Sequence, residues 1–337
     1  MGMFDGLVGS WKRGWRGSQP DDAGRVLSAV DQFSVFEGFV HIAGWVFVRG
    51  ARVTAVHLCF PKGPKFRLES YGLESGDVAK DHGPEAVRVR FNEGLLPRQP
   101  QTDVPAAWLE VHVDDREPIV IRNLGQAPAN DPSIRLHARF AAMLKECEPG
   151  DFLEVGSRAR SGIVRRHLVP EPWTYTGLDV IAGENVDVVG DAHKLSRLFP
   201  TNRFDAVAAF SVLEHLLMPW KFAVELNKVL RPGAIGFLAT HQTWPMHDTP
   251  WDFWRFSDTA WTSLFNRMTG FEIVETALGE PAIVIAARCH AATNFGPPPA
   301  GFLASSVIFR KIGETTLDWP VEIEDVTGTH YPSATTD

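Results

Sequence analysis

The segment from His241 to Phe256 is dense in histidine, carboxylate and aromatic side chains, and Glu214-His215 forms a second, shorter group of the same kind. A histidine accepts or donates a proton near neutral pH. His241 lies closest to the end of a predicted strand and is the first candidate for a general base, with His247, Asp248 and His215 behind it. Trp244, Trp251 and Trp254 offer flat apolar faces, and Asp252 and Arg255 offer charge. That mixture suits a sugar or another polar ring, with Arg255 able to clamp an anionic group. Two plainer uses stand beside these. The tryptophans can simply pack on the body, and Glu214 can be an acid at the positive end of a helix dipole. The residue types would also serve a divalent metal, but no His-Glu-x-x-His spacing is present and no metal is assigned.

A second set of positions reads as a ligand loop. Phe152, Leu153 and Val155 form an apolar run before Gly156, and the residues that follow, SRARSGIVRRHL, can start a helix after a tight turn. A second strand, Tyr175 to Leu178, ends in Asp179, an acid that can accept both hydroxyls of a ribose. A third, Val186 to Val189, runs into Gly190-Asp191-Ala192-His193. A fourth, Phe204 to Phe210, leads into Ser211 and Glu214-His215, then a helix from Pro219 to Leu230 and a fifth strand from Ala234 to Thr240. Turns that share one edge of a parallel sheet form a ligand crevice.

This order of an E-x-G loop, LD, GDAH, SVLEHL and ELNKVLRPG resembles the class I S-adenosylmethionine-dependent methyltransferases, in particular their small-molecule branch, over about residues 130 to 312. The resemblance implies an α/β fold with a Rossmann-like, doubly wound, seven-stranded sheet. Phe271 to Thr276 would be the sixth strand and Ser305 to Ile312 the antiparallel seventh, with a helix from Thr259 to Met268 before them. It also implies S-adenosyl-L-methionine as cofactor. Glu154, Gly156, Ser157 and Arg158 would face its methionine part, Asp179 its ribose, Asp191 and Ala192 its adenine, and Ser211 its sulfonium. The chain departs from the family where Arg158 and Arg160 replace the usual further glycines and glycine returns only at Gly162. An arginine there can pair with the methionyl carboxylate. Alternatively both arginines face solvent, or the pocket binds nothing and the protein is a non-catalytic scaffold in glycan assembly. The activity implied is transfer of a methyl group to a hydroxyl of a small-molecule or carbohydrate acceptor.

From Val26 to Asn123 the pattern changes to period two, with turns at Arg49-Gly50 and Asp114-Asp115, which reads as a smaller all-β sandwich. Its expected strands include Phe39 to Val48, Val53 to Phe60, Ala86 to Phe91 and Trp108 to Val113. The organisation is therefore an amphipathic segment over 1–24, an accessory sandwich over 25–125 and the methyltransferase-like unit over 126–337, entered through a helix from Ser133 to Cys147. The sandwich resembles, weakly, accessory β-modules of bacterial glycan-modifying enzymes, and would contact carbohydrate, dock a partner or form an oligomer. Phe4, Leu7, Val8, Trp11 and Trp15 can share one helical face with Lys12, Arg13 and Arg16 opposite, so residues 1–22 could touch a membrane surface, although their glycines weaken a helix.

Composition narrows the classes further. With 337 residues, 44% hydrophobic and 22% charged, the chain is ordinary globular material. A net charge of −8 argues against a nucleic-acid binder. Three cysteines far apart in sequence indicate neither a disulfide framework nor a zinc site and fit a reducing compartment, so the expected location is cytoplasmic, including the inner membrane face.

Overall fold

The computed structural model describes residues 25–36, 39–95, 106–114, 116–124, 131–160, 162–284 and 300–327. The amphipathic segment 1–22, the linker residues 126–130 and the proline-rich stretch 296–299 lie outside the described residues. The described residues divide into two compact units between Ala129 and Asn130.

The N-terminal unit contains β1 (Val26–Phe36), β2 (Phe39–Val48), β3 (Val53–Cys59), β4 (Phe66–Arg67), β5 (Arg90–Leu95), β6 (Trp108–Val113) and β7 (Ile119–Arg122). They form an antiparallel sheet ordered β1-β2-β5 and another ordered β4-β3-β6-β7. Alternate residues of β2 and β6 are buried, as period two requires. Val40, Ile42 and Val46 from the first sheet share one apolar core with Val56, Leu58, Leu109 and Val111 from the second. The unit is not all-β, because Gly76–His82 forms a helix, α1, followed by a 3-10 turn at Pro84–Ala86. The strand expected over Ala86 to Phe91 accordingly begins only at Arg90. The reason lies in buried Ser75, whose hydroxyl donates to the Ala86 carbonyl and accepts from the Val89 N–H, folding the chain back before it can extend.

The C-terminal unit is built on β8 (Asp151–Val155), β9 (Thr174–Asp179), β10 (Val188–Val189), β11 (Phe204–Phe210), β12 (Leu230–His241), β13 (Phe271–Ile283) and β14 (Ala300–Lys311). The order is β10-β9-β8-β11-β12-β14-β13, parallel throughout except for β14, which runs antiparallel to both neighbours. Both faces are covered, which is why Ala206 to Phe210 of β11 and Ala234 to Ala239 of β12 read as unbroken apolar runs. On one face α2 (Pro132–Glu146) places Leu136, Phe140 and Leu144 against Phe152, Phe237 and Ile308. Asp131 caps it by accepting from the Ser133 and Ile134 N–H groups, with Pro132 in the first turn. On the other face α3 (Leu195–Leu198), α4 (Pro219–Val229) and α5 (Trp261–Leu264) cover Leu153, Val207 and Phe309. Buried Lys221 of α4 donates to the carbonyls of Trp319 and Val321, drawing the stretch before α6 (Ile323–Val326) onto this layer.

Two expected helices are corrected. Among the described residues no α-helix follows the loop after β8 before β9, and a 3-10 turn, Arg166–Leu168, forms there, since Pro170 drives Val169 into an extended conformation. The helix expected over Thr259 to Met268 shortens to α5. Asn266 ends it by donating to the Thr262 and Ser263 carbonyls and accepting from the Met268 N–H, which leaves Met268 exposed. Among the described residues no helix is long and apolar enough to cross a membrane.

The strand order reverses between β8 and β11, so their C-terminal ends open a crevice that β9 and β12 flank. The rigidity of that edge rests on the layer beneath it, where Phe309 stacks on Phe265 with ring centres 4.2 Å apart and both are fully buried. Phe309→Ala should cost about 3–5 kcal/mol in urea unfolding; a loss below about 1 kcal/mol would show that this core is not cooperative with the sheet.

Candidate active site

The loop after β8 turns at Gly156, whose φ of 75° is left-handed and whose missing Cβ would strike Val212. The N–H groups of Gly156 and Ser157 both bond the Leu178 carbonyl, which folds the loop against the end of β9. Asp179 there accepts from the backbone N–H of Arg158 at 3.2 Å and of Ile181 at 3.0 Å. Glu154 sits in a buried network that reaches this loop. Tyr175 donates to Glu154, Asn185 joins Tyr175 to the Ser157 carbonyl, and Arg165 lies 3.6 Å away. Burial pushes the Glu154 carboxyl above the usual range against the pull of Tyr175 and Arg165. At the next strand end Asp191 accepts from both the backbone and the ring of His193, whose other nitrogen takes the Met218 N–H. Ala192 is buried in the core beside it.

The end of β11 leads through Ser211, a non-glycine residue at φ 51°, into a 3-10 turn that sinks Glu214 completely. Thr240 donates to its Oε2 at 2.5 Å. His241 Nε2 lies 3.1 Å and His215 Nε2 3.8 Å from its Oε1. Burial alone would raise this carboxyl, but His241, His215 and Thr240 outweigh burial and hold it below the usual glutamate range. The ring of His247 stands 4.9 Å from that of His215 and 5.4 Å from that of His241. Three histidines therefore surround one sealed carboxylate at the end of β11 and β12.

The segment after β12 is tied to the same point. The N–H groups of Phe253 and Trp254 donate to the Glu214 carbonyl, and that of Phe256 to the His241 carbonyl. Asp252 and Arg255 lock the segment from inside. Arg255 forms a two-pronged pair with Asp252 and donates to the carbonyls of Trp244, Pro245 and Trp254. The fork of Arg255 thus closes on its own loop instead of standing open for an acceptor. Asp248 is likewise taken, by a bidentate pair with Arg160 at 2.6 and 2.9 Å, and is not a proton acceptor beside His241. Trp244 stacks on His241, while Trp251 accepts from His215 through its carbonyl and Trp254 donates to the Leu216 carbonyl and meets Trp220 edge-on.

The structure brings His215, His241 and His247 together around Glu214, and places Gly156, Ser157, Arg158 and Asp179 together at the ends of β8 and β9. Neither arginine of the loop simply faces solvent: Arg158 lies along Gly183 with its Nε 3.9 Å from Asp179, and Arg160 holds Asp248. Sequence reasoning passed over Tyr175, Asn185, Arg165, Thr240 and His193. Asn185 carried a signal, since asparagine is favoured in the left-handed conformation it adopts at φ 69°. Thr240 carried none apart from its place beside His241.

Residues 153–238 match the family described as "Methyltransferase domain". S-adenosylmethionine is the cofactor that the resemblance implies. No curated protein matches the chain. Similar solved structures include the YcgJ protein of Bacillus subtilis, at 16% identity and a TM-score of 0.37, covering 53% of this chain and 99% of that one. A SAM-dependent methyltransferase from Archaeoglobus fulgidus is 14% identical with a TM-score of 0.40, covering 53% of this chain and 92% of its own. Another from Methanosarcina mazei is 18% identical with a TM-score of 0.34, covering 50% and 95%. The atoms of the site fit the cofactor. Ser157 Oγ and Arg158 Nε are buried without a hydrogen-bond partner on a loop whose glycine leaves the backbone bare, as groups that receive a polar ligand would be.

Arg255 and the His247 N–H hold the Asp252 carboxyl far below the ordinary aspartate range. A carboxylate depressed on folding stabilises above its unfolded pKa of about 3.9 and loses that contribution as pH falls through the folded value. Asp252→Asn should therefore lower stability by roughly 1.5–3 kcal/mol at neutral pH, and the gap in urea midpoints between variant and parent should shrink once the pH drops below about 4. A gap constant from pH 7 to pH 3 would contradict the pairing.

Proposed function

We propose that the protein transfers a methyl group from S-adenosylmethionine to a hydroxyl of a small-molecule or glycan acceptor. The observation that carries this reading is the histidine cluster around ionised Glu214 at the end of β11 and β12, beside the turn at Gly156. When bound, the cofactor supplies an electrophilic methyl carried on a sulfonium.

In this reading Gly156, Ser157 and Arg158 would hold the methionine part, Asp179 the ribose, Asp191 and Ala192 the adenine edge, and Ser211 would lie closest to the sulfur. Glu154 acts at one remove, since its carboxyl buttresses the loop through Tyr175 and Asn185. The strained φ of Ser211 lets the chain turn sharply between the two ligand positions. An in-line displacement asks the protein to hold the acceptor oxygen against the methyl and to remove its proton. His241 would accept the proton of the acceptor hydroxyl. His241 Nε2 lies 3.1 Å from Glu214 Oε1, and His241 Nδ1, a buried atom with no hydrogen-bond partner, is the nitrogen that would take the proton. Trp244, stacked on His241, and partly exposed Trp254 offer apolar faces for the acceptor ring. The N-terminal unit serves as an accessory β-sandwich module for acceptor, partner or self-association.

Calorimetric titration should show S-adenosylmethionine binding, and labelled methyl should pass to hydroxyl-bearing sugars. His241→Ala should lower kcat by roughly 10²–10⁴-fold while cofactor affinity stays within about twofold. Turnover unchanged in His241→Ala would point to a nitrogen or carbon acceptor. Absence of cofactor binding at millimolar concentration would support the non-catalytic scaffold, which the missing glycines of the loop would allow.

A further inference from the structure

Glu214, His215 and His247 each present one ligand atom, a carboxylate oxygen or an imidazole nitrogen, and these atoms lie within 4.8 Å of one another. A divalent ion bound at about 2.0–2.2 Å from each would draw the set closer by roughly an ångström. His247 is on the connecting segment after β12, which can make that adjustment. The remaining polar atoms are arranged as metal ligands require. His215 Nδ1 lies 2.7 Å from the Trp251 carbonyl and His247 Nδ1 3.1 Å from the Pro245 carbonyl, so each Nδ1–H is donated outward and the lone pair is on Nε2. Glu214 Oε2 is engaged by Thr240, which orients the carboxylate. Its Oε1 is fully buried, has no aligned hydrogen-bond donor and faces the histidines. A charged oxygen left in that state is costly in a site without a cation.

We propose that Glu214, His215 and His247 form a three-ligand site for a divalent first-row transition ion. Two imidazoles with one carboxylate suit zinc, manganese or iron(II) better than magnesium or calcium, which prefer all-oxygen sets. Three protein ligands leave coordination positions for water or for the acceptor oxygen, whose proton a bound cation would make easier to remove. His241 stays outside the ligand set, with its Nε2 3.1 Å from the same Oε1. The site stands on its own side chains and goes beyond the methyl-transfer reading.

The full chain, stripped with a chelator and free of S-adenosylmethionine, is titrated with Zn²⁺ and separately with Mn²⁺ by calorimetry. One equivalent should bind with a Kd in the micromolar range or tighter. His247→Ala and His215→Ala, both at partly exposed positions, should each weaken binding at least tenfold, and His167→Ala, an exposed histidine on the 3-10 turn after β8, should leave it unchanged. X-ray absorption of the zinc-loaded chain should show a nitrogen and oxygen shell with imidazole scattering. Failure to bind one equivalent, or equal affinity in both histidine variants and the parent with circular dichroism unchanged, would overturn the site. Because no cofactor enters this assay, its failure leaves methyl transfer standing, and failure to bind S-adenosylmethionine leaves the metal site standing.

Discussion

Glu214 carries its carboxylate into the end of the sheet beyond the reach of solvent, where an ionised group costs several kcal/mol unless it is paired and hydrogen-bonded. That requirement organises everything near it. Thr240 and His241 come from the end of β12, His215 from the adjoining turn, and the backbone N–H groups of Phe253 and Trp254 hang the following segment on the Glu214 carbonyl. One residue thereby joins β11, β12 and the aromatic segment into a single edge.

The second constraint is the loop after β8. A bare glycine-rich loop would let a ligand meet backbone alone, but this chain places two arginines there. Each is answered locally, Arg158 by Asp179 and Arg160 by Asp248. The second pair spans from the end of β8 to the segment after β12, over the end of β11 that lies between them. Electrostatic pairing thus does at this edge what glycine geometry does elsewhere, and it fixes the outline of the crevice. The helix that would ordinarily follow this loop is replaced by a short turn, with Arg166 lying over the Tyr175 ring and bonded to Asp187.

The strands of the C-terminal unit were legible where they hold a short apolar run, as β8 and β11 do beneath two covered faces. β11 coincides with its expected span, and β14 takes its place between β12 and β13. Elements whose form depends on side-chain hydrogen bonds were not. Ser75 turns the chain back before β5, and Asn266 ends α5 early, because each offers the backbone a bond that competes with regular structure. Residue type alone does not say which of two such bonds is made.

For the site, residue types and order were enough to single out the histidines and the acids and to assign them to one sheet edge, since strand order follows from chain order and parallel pairing. Which of them cooperate was decided only by the tertiary structure. Asp248 and Asp252 have the same chemistry as Glu214, yet arginines claim both while Glu214 is left among histidines. Partners such as Arg160 and Asp248 are far apart in the chain, and a charged side chain settles on whichever opposite charge the fold brings within reach. Composition and spacing determined what chemistry this chain can carry; long-range pairing decided which atoms are left to do it.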